Sequence, residues 1–181
     1  MESKDLTIVI VTFKSEAKIF NCLKSIPAEI QVPKMIQICN EHGIFMKEHN
    51  TDYLSDDALK WHPRLGIHAA NVAPEFGVVE TRALISLLET NGLNELAENF
   101  LKLSFESHKW EKWMIKGSKA TDRDRSIISG HYIFSKPECK IIKEEAQKIL
   151  KDKGINIENE LKNAVKKAIY RYMVNFRMVS V

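Results

Sequence analysis

The chain has 181 residues, 44% of them hydrophobic, which is enough for a substantial core in one domain or slightly more. Its longest apolar run, Leu6–Phe13, is far shorter than the roughly 20 residues of a membrane span, and no signal-like leader precedes it. We therefore expect a cytoplasmic protein with no membrane partner. Three widely spaced cysteines without a Cys-x-x-Cys pair argue against a redox or cysteine-zinc centre.

The net charge of +3 is unevenly distributed along the chain. Residues 1–108 carry 10 basic and 15 acidic side chains, whereas residues 109–181 carry 17 and 9. In the basic part the charges alternate with apolar residues at helical spacing, which is typical of a solvated helix face. Nucleic acid is therefore not expected as a partner.

Three segments in the first 70 residues are predicted strands with helices between them. Leu6–Phe13 is rich in β-branched residues and apolar on both faces, as in the middle of a parallel sheet, and Ile44–His49 and Leu65–Ala70 follow. The predicted helices are one from Ser15 to Pro27, one over Lys34–His42 behind Pro33, and one capped by Ser55 that runs to Trp61.

The chain beyond Gly77 is predicted to be helical, because its apolar residues recur every three or four positions. The predicted helices are Val78–Glu89, Leu93–Trp113, Asp122–Tyr132, Pro137–Lys151 and Ile157–Met178. The sequence thus predicts an α/β fold: a partial, TIM-like parallel β/α arrangement followed by a helical C-terminal part.

The ends of the second and third predicted strands are where we expect a functional site. Strands that alternate with helices pair in parallel through right-handed crossovers, so their carboxyl ends meet at one rim. Loops 50–54 and 71–77 follow these two strands and should open side by side on that rim.

The loop after the second strand, His49-Asn-Thr-Asp-Tyr53, combines an imidazole, an amide, a hydroxyl and a carboxylate. This set suits a metal ion or a phosphate, but a polar turn whose Asp and Thr bond the backbone is the alternative. Gly66–Gly77 contains small residues before a helix, where exposed amides and the helix dipole favour a phosphate; the alternative is a tightly packed turn.

A third candidate is Ala120–Arg125, in which Thr121 is expected to cap a helix. Arg123 and Arg125 could hold an anion there, or they could belong to a surface ion-pair patch. The chain contains no Gly-x-Ser-x-Gly elbow, phosphate-binding Gly-x-x-x-x-Gly-Lys loop or dinucleotide fingerprint, which disfavours those enzyme classes.

Several of these segments resemble a known family. Lys47–Leu59, Gly66–Pro74 and Glu80–Leu84 resemble the last two β/α units of the tagatose-bisphosphate aldolase accessory-subunit family, which is related to the class II aldolases. Residues 120–125 and 159–168 look, more loosely, like its helical tail. The resemblance covers residues 32–181 and is most specific over 46–84.

The resemblance implies a site for a sugar phosphate. It places a zinc-binding histidine at His49 and a phosphate site at Asn50, Thr51, Asn71, Val72 and Ala73. The other metal ligands and the general acid of that family lie on earlier strands of a complete barrel, which this chain lacks room for, and accessory subunits are non-catalytic. If the chain is an enzyme, the resemblance implies a class II aldolase-type lyase.

The first 27 residues resemble something else. Leu6–Glu16 and Asn21–Ile26 look like the opening strand and helix of an inverting family-two glycosyltransferase, although the Asp-x-Asp that such enzymes need is absent from the chain. We therefore predict three regions: a transferase-like unit over 1–27, closing aldolase-like units over 28–90 and a helical region over 91–181.

Three functions remain open on the sequence. The first is a sugar-phosphate-binding, aldolase-like protein of carbohydrate metabolism, either a non-catalytic subunit or a truncated or chimeric relative, whose partner is a catalytic aldolase subunit or a second copy. The second is a glycosyltransferase-like nucleotide-sugar protein. The third is a partner-binding helical module whose incomplete sheet pairs with another chain.

Overall fold

The structure is a computed structural model that describes residues 9–11 and 28–179. The described chain divides into two compact units. Unit 1 comprises the residues up to Glu75 together with those from Tyr170 onward, and unit 2 comprises Phe76–Ile169. The predicted regions 1–27, 28–90 and 91–181 concerned resemblance rather than compactness and stay a prediction.

Among its described residues, unit 1 contains three very short stretches of strand that form a parallel sheet in the order β1-β2-β3. The strands are β1 (Val9–Val11), β2 (Lys47–His49) and β3 (Ala69–Ala70), with α1 (Ala28–Glu41) and α2 (Asp56–Leu65) between them. Val11 pairs with His49, and Glu48 pairs with Ala70. The predicted parallel pairing is confirmed. The second and third strands are shorter than the predicted Ile44–His49 and Leu65–Ala70.

The apolar cluster among the described residues of unit 1 is small. Cys39 and Met46 are almost fully buried and lie with Ile36 against partly buried neighbours, namely Val32, Met35, Ile44 and Ile67. Helix α2 begins at its predicted cap, since the Ser55 hydroxyl accepts the Ala58 N–H at 3.2 Å. The predicted helix from Ser15 to Pro27 and most of the predicted strand Leu6–Phe13 lie outside the described residues.

Unit 2 is helical in all its regular elements. Helix α3 (Pro74–Thr90) enters it from unit 1, and α4 (Asn94–Glu106), α5 (Asp122–Ser129), α6 (Pro137–Lys151) and α7 (Ile157–Asn175) follow; α7 ends in unit 1. Short 3₁₀ turns occupy Glu111–Trp113 and Gly130–Tyr132, where longer α-helices were predicted. The predicted span of α6 is confirmed to the residue.

The predicted fold class is wrong. The chain is mostly helical, and its described strands, of three, three and two residues, do not form a TIM-like β/α arrangement. Beyond Ala70 no further strand is found in the described part of the chain. The physical reason is that the apolar residues after Gly77 keep the helical period, so they are buried by packing helix on helix.

The apolar core of unit 2 is larger. Phe100, Leu84, Leu88, Ile133 and Leu150 are fully buried within it. Two glycines allow close approach: a Cβ on Gly130 would lie 2.3 Å from Thr81 Cγ2, and one on Gly77 would lie 2.7 Å from His131 Cβ. Within the described chain, each helix is too short or too polar to cross a bilayer.

Candidate functional site: the rim of the short sheet

The two predicted loops lie side by side at the carboxyl ends of β2 and β3. The Asn71 N–H donates to the Glu48 carbonyl at 2.9 Å, and the Thr51 N–H donates to the Asn71 carbonyl at 3.0 Å. These two hydrogen bonds continue the parallel ladder one step beyond the strands, and they hold the two loops next to each other. We call residues 49–56 and 71–75 the rim.

The rim backbone is unusual at two positions. Asn50 and Tyr53 have φ angles of 59° and 61°, in the left-handed region. Asparagine tolerates this conformation, whereas for tyrosine it is strained and persists only where the surroundings enforce it. Here the Tyr53 N–H donates to the Glu75 carboxylate, which fixes the turn to the start of α3.

Asp52 is the acceptor that joins the two loops. Its carboxylate, which is only 9% exposed, accepts the Ala73 N–H at 3.2 Å and the Glu75 N–H at 2.9 Å. A side-chain carboxylate therefore already satisfies amides at the start of α3, where an anion is favoured. The polar-turn alternative is thus realised at Asp52, and a phosphate at Ala73 would have to displace it.

Glu75 is the second carboxylate of the rim, and its side chain is 12% exposed. Besides the Tyr53 N–H, it accepts the Tyr172 hydroxyl and lies 3.3 Å from Arg171 Nη1. Three donors from two separate parts of the chain thus converge on this carboxylate. Burial, together with the hydrogen bond and charge of Glu75, raises the pKa of Tyr172, so the phenol keeps its proton and donates it.

The end of α7 is attached to the rim by Arg171. Its Nε lies 2.6 Å from Asp56 Oδ1, and its Nη2 lies 2.6 Å from the Leu54 carbonyl. Asn175 adds a hydrogen bond of 3.3 Å to the same Asp56 oxygen. Arg171, Tyr172 and Asn175 were not predicted as site residues, because about 100 positions separate them from the rim and the sequence showed only their helical spacing.

The rim exposes some predicted site residues and buries others. Asn50 and Ala73 are exposed, His49, Asn71 and Val72 are half-buried, and Thr51 is 1% exposed. The Tyr172 hydroxyl lies 3.1 Å from the Thr51 carbonyl, and the Thr51 hydroxyl has no hydrogen-bond partner among the described residues. Five of the six predicted residues are thus accessible on one surface.

The predicted zinc ligand His49 has an amide for a neighbour. Its Nδ1 lies 3.4 Å from Asn71 Nδ2. Among the described residues, no group of three or more His, Cys, Asp or Glu side chains is arranged to hold a metal ion. The zinc role of His49 therefore stays a prediction, without a set of protein ligands in the described part of the chain.

A buried ion pair on β2 and α2 was not predicted either. His62 Nε2 faces Glu48 Oε2, and His62 Nδ1 lies 3.3 Å from the Ala58 carbonyl. Burial lowers the pKa of His62, but the hydrogen bond and charge of Glu48 and the backbone of Ala58 and Leu59 raise it, and the net shift is upward. This pair ties the strand that carries His49 to helix α2.

The third sequence candidate, Ala120–Arg125, is an ion-pair patch in unit 2. Thr121 caps α5, as predicted, and forms a capping box with Asp124. Arg123 binds Glu89 at 2.7 Å and Arg125 binds Asp122 at 2.8 Å, so both guanidinium groups have carboxylate partners.

Comparison of the chain with family models, curated proteins and solved structures finds no match.

Proposed function

We propose that the rim of unit 1 binds a sugar phosphate, as a non-catalytic, aldolase-like function. One observation carries this proposal: the hydrogen bond of 3.0 Å from the Thr51 N–H to the Asn71 carbonyl, which makes the His49 loop and the Asn71 loop a single polar surface. The amides of Asn50 and Asn71 belong to that surface, and Asn50 is exposed.

The charges of the rim favour the sugar over the phosphate as the main source of affinity. Asp52, Asp56 and Glu75 supply three carboxylates against the guanidinium of Arg171. Asp56, whose side chain is 56% exposed, can accept hydrogen bonds from sugar hydroxyl groups, whereas all three carboxylates repel a phosphate. The phosphate is therefore assigned to the Asn50 and Asn71 amides, whose neutral donors predict weak binding.

Titration calorimetry tests the proposal with fructose 1,6-bisphosphate, tagatose 1,6-bisphosphate, unphosphorylated fructose and inorganic phosphate. We expect a sugar bisphosphate to bind and the other two ligands to bind at least about tenfold more weakly, since each occupies only part of the surface. No heat from either bisphosphate would overturn the proposal.

A pair of variants locates the binding. Asn50→Gly removes an amide while keeping the left-handed backbone, and Asn71→Ala removes the second amide. We expect the double variant to lose about tenfold or more in affinity. The matched control replaces two exposed asparagines of unit 2, Asn99→Ala and Asn163→Ala, and should bind as the parent chain does.

Aldol cleavage, assayed with and without zinc, tests for turnover by the same rim. A non-catalytic protein gives no cleavage in either case. Zinc binding is measured separately by calorimetry, and tight binding that survives His49→Ala would remove His49 from the metal role.

The glycosyltransferase-like function concerns residues that lie mostly outside the described ones, and it stays a prediction. The helical partner module also stays a prediction.

A further inference from the structure

A lysine-rich segment of unit 2 plays no part in the proposed function. Residues 107–120 connect α4 to α5, and we call them the basic loop. Four lysines occur within eleven positions of it: Lys109, Lys112, Lys116 and Lys119. All four are exposed, and Glu111 is the single acidic residue among them.

The positive charge of the basic loop is not neutralised within the described chain. Glu111 Oε1 lies 3.0 Å from His108 Nδ1, so the one carboxylate of the loop already has a neighbour. None of the four lysines lies within ion-pair distance of a carboxylate among residues 9–11 and 28–179. Four like charges on one short segment repel one another unless an anionic partner approaches.

An exposed aliphatic side chain lies in the middle of these charges. Ile115 is 66% exposed, and Lys112 and Lys116 flank it in the sequence. The removal of a large apolar side chain from water is favourable, and here that side chain belongs to the same short segment as four exposed lysines. A partner that is both anionic and apolar satisfies both features.

The aromatic rings near the loop are engaged by other side chains. Trp110 stacks on Phe105, with ring centroids 5.3 Å apart, and the Arg125 guanidinium lies 5.0 Å from the Trp110 ring. Tyr132 has Lys112 Nζ at 4.4 Å and the His131 ring at 3.9 Å. Single-stranded nucleic acid binds such surfaces by stacking bases on open rings, whereas the rings of Trp110, Trp113 and Tyr132 each have a cationic side chain over them.

We propose that the basic loop binds the surface of an anionic lipid bilayer, with the four lysines over the headgroups and Ile115 inserted at the acyl boundary. Lysines near an anionic leaflet each contribute to attraction, and an apolar side chain adds to it, without any spanning helix. The sequence predicted no membrane partner because its apolar runs are too short to span a bilayer. Short apolar runs exclude a spanning helix but not a contact with the bilayer surface.

Vesicle co-sedimentation of the full chain tests the proposal. The probes are vesicles of phosphatidylcholine alone and vesicles in which about a third of the lipid is phosphatidylglycerol. We expect the chain to bind the anionic vesicles and not the neutral ones, and to be released as salt is raised. Equal binding to both, or to neither, would overturn the proposal.

Charge-matched variants separate the loop from the general basic character of residues 109–181. Replacing all four loop lysines by glutamine should weaken binding more than about a hundredfold, at about fivefold per lysine. The control replaces four other exposed lysines, Lys140, Lys151, Lys162 and Lys166, by glutamine and changes net charge equally. Equal loss in both variants would show charge attraction without a site, which overturns the proposal.

Two further measurements complete the test. Ile115→Ala leaves the charge unchanged and should weaken vesicle binding about tenfold, since the inserted side chain is shortened. Binding of a single-stranded oligonucleotide that depends on the loop lysines, combined with unchanged vesicle binding in the lysine variant, would assign the loop to nucleic acid instead. Circular dichroism of each variant checks that the fold is retained.

Discussion

The described residues of unit 1 and unit 2 are held together by different kinds of interaction. Unit 2 buries a large set of apolar side chains around Phe100. The described part of unit 1 has a small apolar cluster around Met46 and a network of charged and hydrogen-bonded groups at its rim. Apolar burial tolerates changes of pH but not of volume, whereas a polar network responds to the loss of single donors. We therefore expect different kinds of substitution to destabilise the two units.

The largest effect is expected from Phe100→Ala in unit 2. Phe100 is fully buried, and its ring lies 5.6 Å from that of Phe134. The cavity should lower the free energy of unfolding by about 3–5 kcal/mol, measured by urea titration with circular dichroism. The matched control is Phe45→Ala in unit 1, which is 74% exposed and should cost under about 1 kcal/mol. Equal losses would contradict the assignment of the core.

Overpacking of unit 2 should have the next largest effect. Gly130→Ala places a methyl group 2.3 Å from Thr81 Cγ2, and Thr81 is fully buried with its hydroxyl bonded to the Gly77 carbonyl. We expect a loss of about 1–3 kcal/mol in the free energy of unfolding. Adding Thr81→Ala should recover part of it, whereas simple additivity of the two losses would show that the side chains do not meet.

In unit 1, Tyr172→Phe removes one donor and little volume. The Glu75 carboxylate then keeps only its other donors, so the free energy of unfolding should fall by about 1–2 kcal/mol. Tyr170→Phe, two positions earlier and 51% exposed, is the control and should have almost no effect. A Tyr172→Phe variant as stable as the control would mean that the rim network contributes nothing to stability.

The smallest expected effect is the dependence of stability on pH, which has opposite signs for the two histidines, one in each unit. His62 in unit 1 has a pKa raised above 6.5, so its contribution to stability is complete below 6.5 and is lost as the pH rises through the raised pKa. Burial and the charge of Lys112 lower the pKa of His131 in unit 2, so folding there becomes less favourable as the pH falls from 6.5 toward that lowered pKa.

Proton NMR titration of the histidine Cε1–H signals measures both values, with His62→Gln and His131→Gln to assign the signals. His62 should titrate at a higher pH than His131. The reverse order would contradict the pairing of His62 with Glu48, since that pairing is what raises the pKa against the cost of burial.

The amino-acid sequence alone determined the local features of this protein. The span of α6, the Ser55 and Thr121 caps, and the polar character of the loops after His49 and Ala70 follow from neighbouring residues, because helical period, capping and turn chemistry act over a few positions. The parallel pairing of the short strands also followed from their alternation with helices.

Only the tertiary structure decided how these elements are used. The short strands belong to a mostly helical chain because the apolar faces beyond Gly77 pack on one another rather than on a larger sheet. Arg171 and Tyr172 contact rim residues that lie about 100 positions earlier in the chain. The Asp52 carboxylate accepts hydrogen bonds from the N–H groups of Ala73 and Glu75. Such contacts depend on which surfaces meet in space, and no local pattern encodes that.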